Sequence, residues 1–248
     1  MTWQIHHKDE TESTNLDARA GRHGDVFTAD YQTAGRGRLD HKWLSPPGAN
    51  LMMSAVLSVE GLSPEQVATL PLVVGLAVAK AVRRLFVNGQ DVGRKTEDVK
   101  LKWPNDVLVG GKKLAGILCE RNGDNVIAGI GINVGQTEFP PEIADRATSL
   151  ALLSADVFRL PSSVLSVRDA VLRELGVCYS LWREKGFIAV YPEIAAVDWL
   201  KGREVAVLQT DDDASPVVGV SGGIQPDGSL DVGGGKVYAG EVHLRWKA

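Results

Sequence analysis

Val99-Lys-Leu-Lys-Trp-Pro-Asn-Asp-Val-Leu-Val-Gly-Gly-Lys-Lys-Leu-Ala-Gly-Ile-Leu-Cys-Glu-Arg-Asn-Gly-Asp-Asn-Val-Ile-Ala-Gly-Ile-Gly-Ile-Asn-Val134 decides the fold of this chain. Its short apolar runs, broken by turn-forming residues, read as four consecutive strands over 99–103, 106–109, 113–120 and 126–134. Gly110-Gly111 is a tight turn between the second and third. Pro104 has no N–H for a ladder, so it interrupts the first strand and can re-aim Asn105 and Asp106. Strands that follow one another in this way point to a mixed or antiparallel sheet.

The rest of the chain supplies partners for that sheet. Strands are expected over 26–31 and 50–59. Ser13, Thr14 and Asn15 are all N-cap types and open a helix that runs to His23 and stops at Gly24. Ser63-Pro64-Glu65 opens a long helix with an apolar stripe through Val67, Leu70, Val74, Ala77, Val78, Ala81 and Leu85. Pro71 inside that stripe should kink or divide it. Residues 88–98 read as a loop, and helices are expected over 142–155, 163–185 and 187–198. From Gly202 onward the strands are short, over 204–209, 217–222, 230–232 and 242–246, and glycines punctuate them. The expectation is an α+β domain over 1–198 and a small β-barrel or sandwich over 199–248, docked on it because so short a module has little core of its own.

Composition excludes several classes. The 248 residues carry a net charge of −4, which argues against a whole surface built to grip nucleic acid. Two cysteines, Cys119 and Cys178, cannot form a disulfide framework, and the five histidines show no metal-ligand spacing with them. Residues 1–10 contain no apolar segment of a secretory signal. The longest apolar run, Leu70–Ala79, is far below the ~20 residues of a membrane span. A cytoplasmic protein with no membrane contact is expected.

Two polar constellations could carry chemistry. The first is Tyr31-Gln-Thr-Ala-Gly-Arg-Gly-Arg-Leu-Asp-His-Lys-Trp43. Its glycines allow close backbone approach, its N–H groups can form an anion-binding nest, and Arg36 and Arg38 can fork onto phosphate or carboxylate oxygens. Trp43 offers a face for a ring. Alone, this stretch reads equally as a solvated basic loop. The second constellation sets Asp106 beside Lys102 and Lys113, the makings of a nucleotide–magnesium site or simply a strand–turn–strand with charged ends. Gly93-Arg-Lys-Thr96 lacks the glycine spacing of a phosphate-binding P-loop. Gly129-Ile-Gly-Ile-Asn-Val-Gly135 does not fit a dinucleotide fingerprint and reads as a tight strand turn.

Taken in order, Ser13-Thr-Asn15, Gly35-Arg-Gly-Arg38 through Trp43, Lys102-Trp-Pro-Asn-Asp106, Lys113-Leu-Ala-Gly-Ile117 and Gly131-Ile-Asn133 resemble the biotin–protein ligase family. The tail, Gly240-Glu-Val-His-Leu-Arg245, resembles the end of that family's SH3-like C-terminal domain. The resemblance implies a sheet like that of class II aminoacyl-tRNA synthetases with flanking helices. It implies that biotin and ATP, with Mg²⁺, give biotinyl-AMP, and that a lysine of a biotin carboxyl carrier domain of an acetyl-CoA or related carboxylase then takes the biotinyl group.

By the same resemblance Arg38, Lys113 and Asp106 are catalytic. Ser13, Thr14, Asn15, Gln32, Arg36, Gly37, Arg38, Lys113 and Gly116 line biotin. Arg38, His41, Trp43, Lys102, Asn105, Asp106, Lys113 and Asn133 surround ATP, and Asp106 is the candidate for Mg²⁺. The loop departs from the family pattern: Asp40 and His41 stand where Gly and Arg often do. A homodimer stays open. A DNA partner is not expected, because little chain precedes Glu10. The competing readings are a lipoate-type ligase and a non-catalytic biotin sensor.

Overall fold

The structure is a computed structural model that describes residues 1–38, 41–88, 98–154, 162–208 and 216–244. Asp40, residues 89–97 with Gly93–Thr96, residue 155, residue 209 and the tail from Arg245 lie outside the described residues.

The chain runs through β1 (Gln4–Thr11), α1 (Thr14–Asp17), a 3₁₀ turn (Ala18–Ala20), β2 (Asp25–Gln32), β3 (Leu51–Ser58), α2 (Pro64–Ala68) and α3 (Leu70–Asn88). It continues through β4 (Val99–Lys102), β5 (Asp106–Val109), β6 (Lys112–Asn122), β7 (Asn125–Ile132), α4 (Leu150–Leu153), α5 (Ser162–Lys185), a second 3₁₀ turn (Phe187–Ala189) and α6 (Tyr191–Ala196). It ends with β8 (Glu204–Leu208), β9 (Val217–Ile224), β10 (Leu230–Val232), β11 (Gly235–Val237) and β12 (Glu241–Leu244).

One sheet has the order β1-β2-β3-β7-β6-β5-β4, and a second the order β11-β10-β9-β8-β12. The first is mixed: β1 and β2 are parallel, and every other pair is antiparallel. The second is antiparallel throughout. The four strands expected between 99 and 134 are present, joined by tight connections in which Gly110, Gly111 and Gly123 take the positive φ that only glycine adopts cheaply.

Helices α3 and α5 cover one face of the seven-stranded sheet. Val74, Ala77, Val78 and Ala81 on α3 are fully buried with Val167, Val171 and Leu175 of α5. Gly75 lets α3 close on β4, where an added Cβ would stand 2.7 Å from Leu101 Cδ2. Pro71 marks a division, as expected. The helix breaks at Thr69, whose hydroxyl accepts from Trp182 Nε1 at 2.9 Å, and α2 carries the capping box of Ser63 and Gln66. Among the described residues no helix is long and apolar enough to cross a membrane.

Four expectations need correction. The helix expected to reach His23 is a single turn plus a 3₁₀ turn, because Gly21 lies against Phe27 and Val56 and sends the chain into β2. The helix expected over 142–155 shrinks to α4. The chain before it bridges to β6 instead, with Lys113 N–H donating to the Arg146 carbonyl (2.7 Å) and Thr148 N–H to the Lys113 carbonyl (2.9 Å). The helix expected over 187–198 stops at Ala196, since Val197 and Trp199 hydrogen-bond with Leu101 along the free edge of β4. Gly129–Gly135 is no turn: Gly129 and Gly131 lie inside β7 at the centre of the sheet.

The second sheet shares its core with the rest. Val205, Val207, Leu230 and Val242 belong to the same buried cluster as the helices. Trp103 Nε1 donates to the Gly228 carbonyl (3.0 Å), Tyr191 hydroxyl to the Ile224 carbonyl (3.1 Å), and Ile224 N–H to Asp198 (2.8 Å).

Candidate active site

The uncovered face of the large sheet is built from alternate residues of three strands. Met52, Ser54 and Val56 on β3 pair with Gly131, Gly129 and Ile127 on β7, which pair in turn with Gly116, Leu118 and Glu120 on β6. Three glycines therefore meet at the middle of the sheet and leave a floor without side chains. A Cβ on Gly129 would collide with the Asn15 amide, and one on Gly131 would stand 2.5 Å from the Trp43 ring.

Around this floor runs a cleft lined by Ser13, Thr14, Asn15, Gln32, Arg36, Gly37, Arg38, His41, Trp43, Lys102, Asn105, Asp106, Lys113 and Gly116, with Lys42, Met52, Leu118 and Glu241 among their neighbours. Of the site residues expected from the sequence, all but one line this cleft. The exception is Asn133. It is buried, its Nδ2 donates to the Thr148 carbonyl (3.0 Å), and it ties the end of β7 to the segment before α4.

One end of the cleft is polar and uncharged. Thr14 N–H and hydroxyl both donate to Gln32 Oε1, at 2.8 and 3.1 Å. The buried Ser54 hydroxyl stands 2.8 Å from Thr14 Oγ1 and donates to Asn15 Oδ1 at 2.6 Å. Asn15 Nδ2 donates to Glu120 Oε2 at 2.6 Å. Ser13 takes the N-cap position without a capping hydrogen bond, so the cap-type side chains of Thr14 and Asn15 serve the cleft rather than their helix.

The other end is cationic. Among the described residues, five cationic side chains line the cleft against two carboxylates, Asp106 and Glu241. Lys113 Nζ stands 2.7 Å from Asp106 Oδ1. Arg38 Nη1 reaches the Asn105 Oδ1 (3.4 Å) and the Gly240 carbonyl (3.3 Å), so the loop touches the C-terminal sheet. Burial lowers the Arg38 pKa, opposed by Asp106 and Glu241. Burial likewise lowers that of Lys102, with Lys113 and Arg146 adding to the effect and Asp106 opposing it. Cations that are dehydrated and repel one another are pre-set to gain from an incoming anion.

The glycine-rich loop folds back on itself over this end. Trp43 N–H donates to the Gly35 carbonyl (3.0 Å) and Gly37 N–H to the His41 carbonyl (2.7 Å). The Trp43 indole rests on Gly131 and Gly116, and its N–H is buried without a partner among the described residues. Ser54, Glu120, Met52 and Glu241 were not singled out by sequence, and Gly129 was read there as part of a turn. The alternation of glycines along 116, 129 and 131 was the available signal, since small residues at every second position of a central strand mark a face kept open.

This arrangement has relatives. Residues 7–136 match the family described as biotin/lipoate A/B protein ligase. The chain is 35% identical over 254 residues to the biotin–[acetyl-CoA-carboxylase] ligase of Mycobacterium tuberculosis, covering 95% of this chain and 87% of that protein. It is 32% identical to the Escherichia coli bifunctional ligase/repressor BirA over 90% of this chain, and spans 66% of that protein's length. It superposes on the biotin protein ligase of Aquifex aeolicus in complex with biotin and ATP with a TM-score of 0.81, at 31% identity over 98% of this chain and 99% of that one. By fold, site and likeness, the chain belongs to the biotin–protein ligase family.

Proposed function

We propose that this chain activates biotin with ATP and transfers the biotinyl group to a lysine of a biotin carboxyl carrier domain of an acetyl-CoA or related carboxylase. The observation that carries the reading is a single cleft with a neutral hydrogen-bonding end, Ser13, Thr14, Asn15 and Gln32, and a cation-rich end, Arg38, Lys102 and Lys113. Biotin has that same polarity: a ureido ring that needs donors and acceptors, an apolar chain and a carboxylate.

In the first step a biotin carboxylate oxygen bonds to the α-phosphorus of ATP. The bond to the bridging oxygen breaks and pyrophosphate leaves. Two anions must approach, so the step needs cations whose grip tightens as charge grows on the phosphoryl oxygens. Arg38 and Lys113 supply them, with Arg36 and Gly37 closing over the acyl phosphate. Trp43, His41, Lys102 and Asn105 are assigned to the nucleotide, whereas Asn133 lies outside the cleft and braces the end of β7. In the second step the carrier lysine, as free amine, attacks the acyl carbon. The C–O bond breaks, AMP leaves with the electron pair, and the amine proton passes to solvent.

Asp106 fits a magnesium ion. A hard cation of this size takes one or two carboxylates and completes its shell with phosphate oxygens, and Asp106, which shares the cleft with Glu241 and pairs with Lys113, offers such a carboxylate beside the cations. Mg²⁺ bound there would share the charge of the leaving pyrophosphate.

Residues 199–248 are read as an SH3-like barrel appended to a catalytic domain over 1–198. The short antiparallel strands of the second sheet and the Arg38–Gly240 contact support this reading. A cytoplasmic location goes with a reaction that consumes ATP, and both cysteines are free thiols. The repressor half of the Escherichia coli relative's name is not carried over.

ATP–pyrophosphate exchange with Mg²⁺, run with biotin, with lipoate and with neither, tests the proposal. Exchange with biotin alone is expected. Exchange with lipoate alone would move the chain to the lipoate branch. Biotin binding without exchange would make it a sensor.

A further inference from the structure

Glu120 lies on the cleft face of β6 but has no part in the reaction as derived. Its carboxylate joins Asn15, at the neutral end of the cleft, to Arg36 of the glycine-rich loop. Its Oε2 accepts from Asn15 Nδ2 at 2.6 Å, and its Oε1 accepts from Arg36 Nη1 at 3.1 Å. Asn15 is held on its other side by Ser54 and from below by the bare Cα of Gly129. Arg36 belongs to the glycine-rich loop and pairs in a bridge with Lys42.

We propose that Glu120 is a positioning residue that couples the biotin end of the cleft to the glycine-rich loop through Arg36. The proposal rests on the biotin reading above for its first arm only. Asn15 can present its amide in two orientations. A carboxylate accepts hydrogen bonds and cannot donate, so Glu120, at 2.6 Å, with the more distant Leu118 carbonyl at 3.5 Å, fixes the Nδ2 side toward itself and the Oδ1 side toward Ser54. The same carboxylate tethers Arg36, so loop and pocket share one acceptor group. Glutamine cannot replace it: an amide has one acceptor atom, and whichever partner takes it, the other meets an N–H. The Asn15 contact is the more buried and makes the larger demand, so in Glu120→Gln the tether to Arg36 is the contact that fails.

Two measurements test this. The first needs no ligand: the rate of tryptic cleavage after Arg38 and Lys42 in the wild type, Arg36→Gln, Glu120→Gln and the double variant. Because the pair is half exposed, each single variant is expected to speed cleavage about two- to fivefold. The double variant should be no faster than either single one, since both remove the same tether. Additive rates would overturn the coupling even if each variant is less stable, because global loosening from two separate defects adds. The second is biotin affinity without ATP. Glu120→Ala is expected to lose about tenfold or more, and Glu120→Gln much less. Equal affinity in Glu120→Ala and wild type would overturn the Asn15 arm. A wild type that binds no biotin would instead overturn the proposed function and leave the cleavage test standing.

Discussion

Lys113 and Asp106 face each other across the β5–β6 pair, Nζ 2.7 Å from Oδ1, and the backbone of Lys113 is held from the far side as well. Its N–H donates to the Arg146 carbonyl and its carbonyl accepts from Thr148 N–H, so a strand on one edge and a bridging segment on the other fix its position. The pairing of β5 with β6 slips between Val107 and Leu108, which takes the Lys113 side chain out of regular alternation and toward the cleft. A cation so placed is oriented before substrate arrives.

Replacing Lys113 by alanine removes that cation from the proposed adenylyl-transfer centre. The loss of a pre-oriented charge acting on the transition state is expected to lower biotin-dependent ATP–pyrophosphate exchange by about 10²–10³-fold. Because Lys113 is 40% exposed, folding stability should change by less than about 1 kcal/mol. Exchange at the wild-type rate would remove Lys113 from the chemistry.

The central strands and the two long helices were legible because their patterns are strong. Val, Ile and Leu alternate or cluster over 99–134, and the stripe of α3 holds its 3.6-residue period up to Leu85. β1 was not legible: His6, His7, Lys8, Asp9 and Glu10 form an exposed edge strand with no apolar face, held by parallel pairing with β2 and by polar contacts such as those of Lys8 and Thr11 with Asp17. The site divides in the same way. Arg38, Asp106 and Lys113 were legible as charges in glycine-rich or proline-marked settings. Glu120 was not, because its partner Asn15 is 105 residues away and nothing local distinguishes it from a surface glutamate. The glycines of β7 misled, since a glycine that opens space inside a sheet and one that makes a turn look the same in one dimension.

The thiols should be inert in the folded protein. Burial, helped by the neighbouring Glu120 charge, pushes Cys119 up to about 12. Burial also pushes Cys178 up to about 11, with Lys80 opposing. At pH 8 both are neutral, and the thiolate is the nucleophile. Iodoacetamide at pH 8 is therefore expected to modify neither cysteine in the native protein and both in guanidinium. Rapid native labelling of either would contradict the burial that sets these values.

Asp227 makes the C-terminal sheet sensitive to acid. Burial raises its pKa, but hydrogen bonds from Lys236 and from the Ser229 hydroxyl and N–H, with the Lys236 charge, outweigh that and bring it down to about 2. A carboxyl held below its unfolded value stabilises the fold above about pH 4, and that contribution is lost as the pH falls toward 2. Asp227 is 38% exposed, so solvent screens the pair and its worth is under about 1 kcal/mol. Asp227→Asn should lower stability modestly at pH 6 and match the wild type at pH 2, measured by urea titration at each pH. A difference that grows as the pH falls would refute the assignment.

Gly129 and Gly131 should separate the two ends of the cleft. Neither has a positive φ, so alanine is no strain on the backbone and would even reduce its entropy when unfolded. The obstacle is space. At Gly129 the new methyl meets the Asn15 amide, which Ser54 and Glu120 hold on both sides, so it cannot give way. At Gly131 it meets the Trp43 indole, whose N–H has no hydrogen-bond partner among the described residues to hold it in place. Overpacking against a fixed group costs about 1–3 kcal/mol. Gly129→Ala is therefore expected to weaken biotin binding about tenfold or more by titration calorimetry. Gly131→Ala should leave biotin affinity nearer the wild type and reduce adenylate formation instead, because it displaces the loop over the nucleotide end. If both variants lost biotin affinity equally, Asn15 would not be the rigid wall of the pocket, and the assignment of the neutral end to the ureido ring would fall with it.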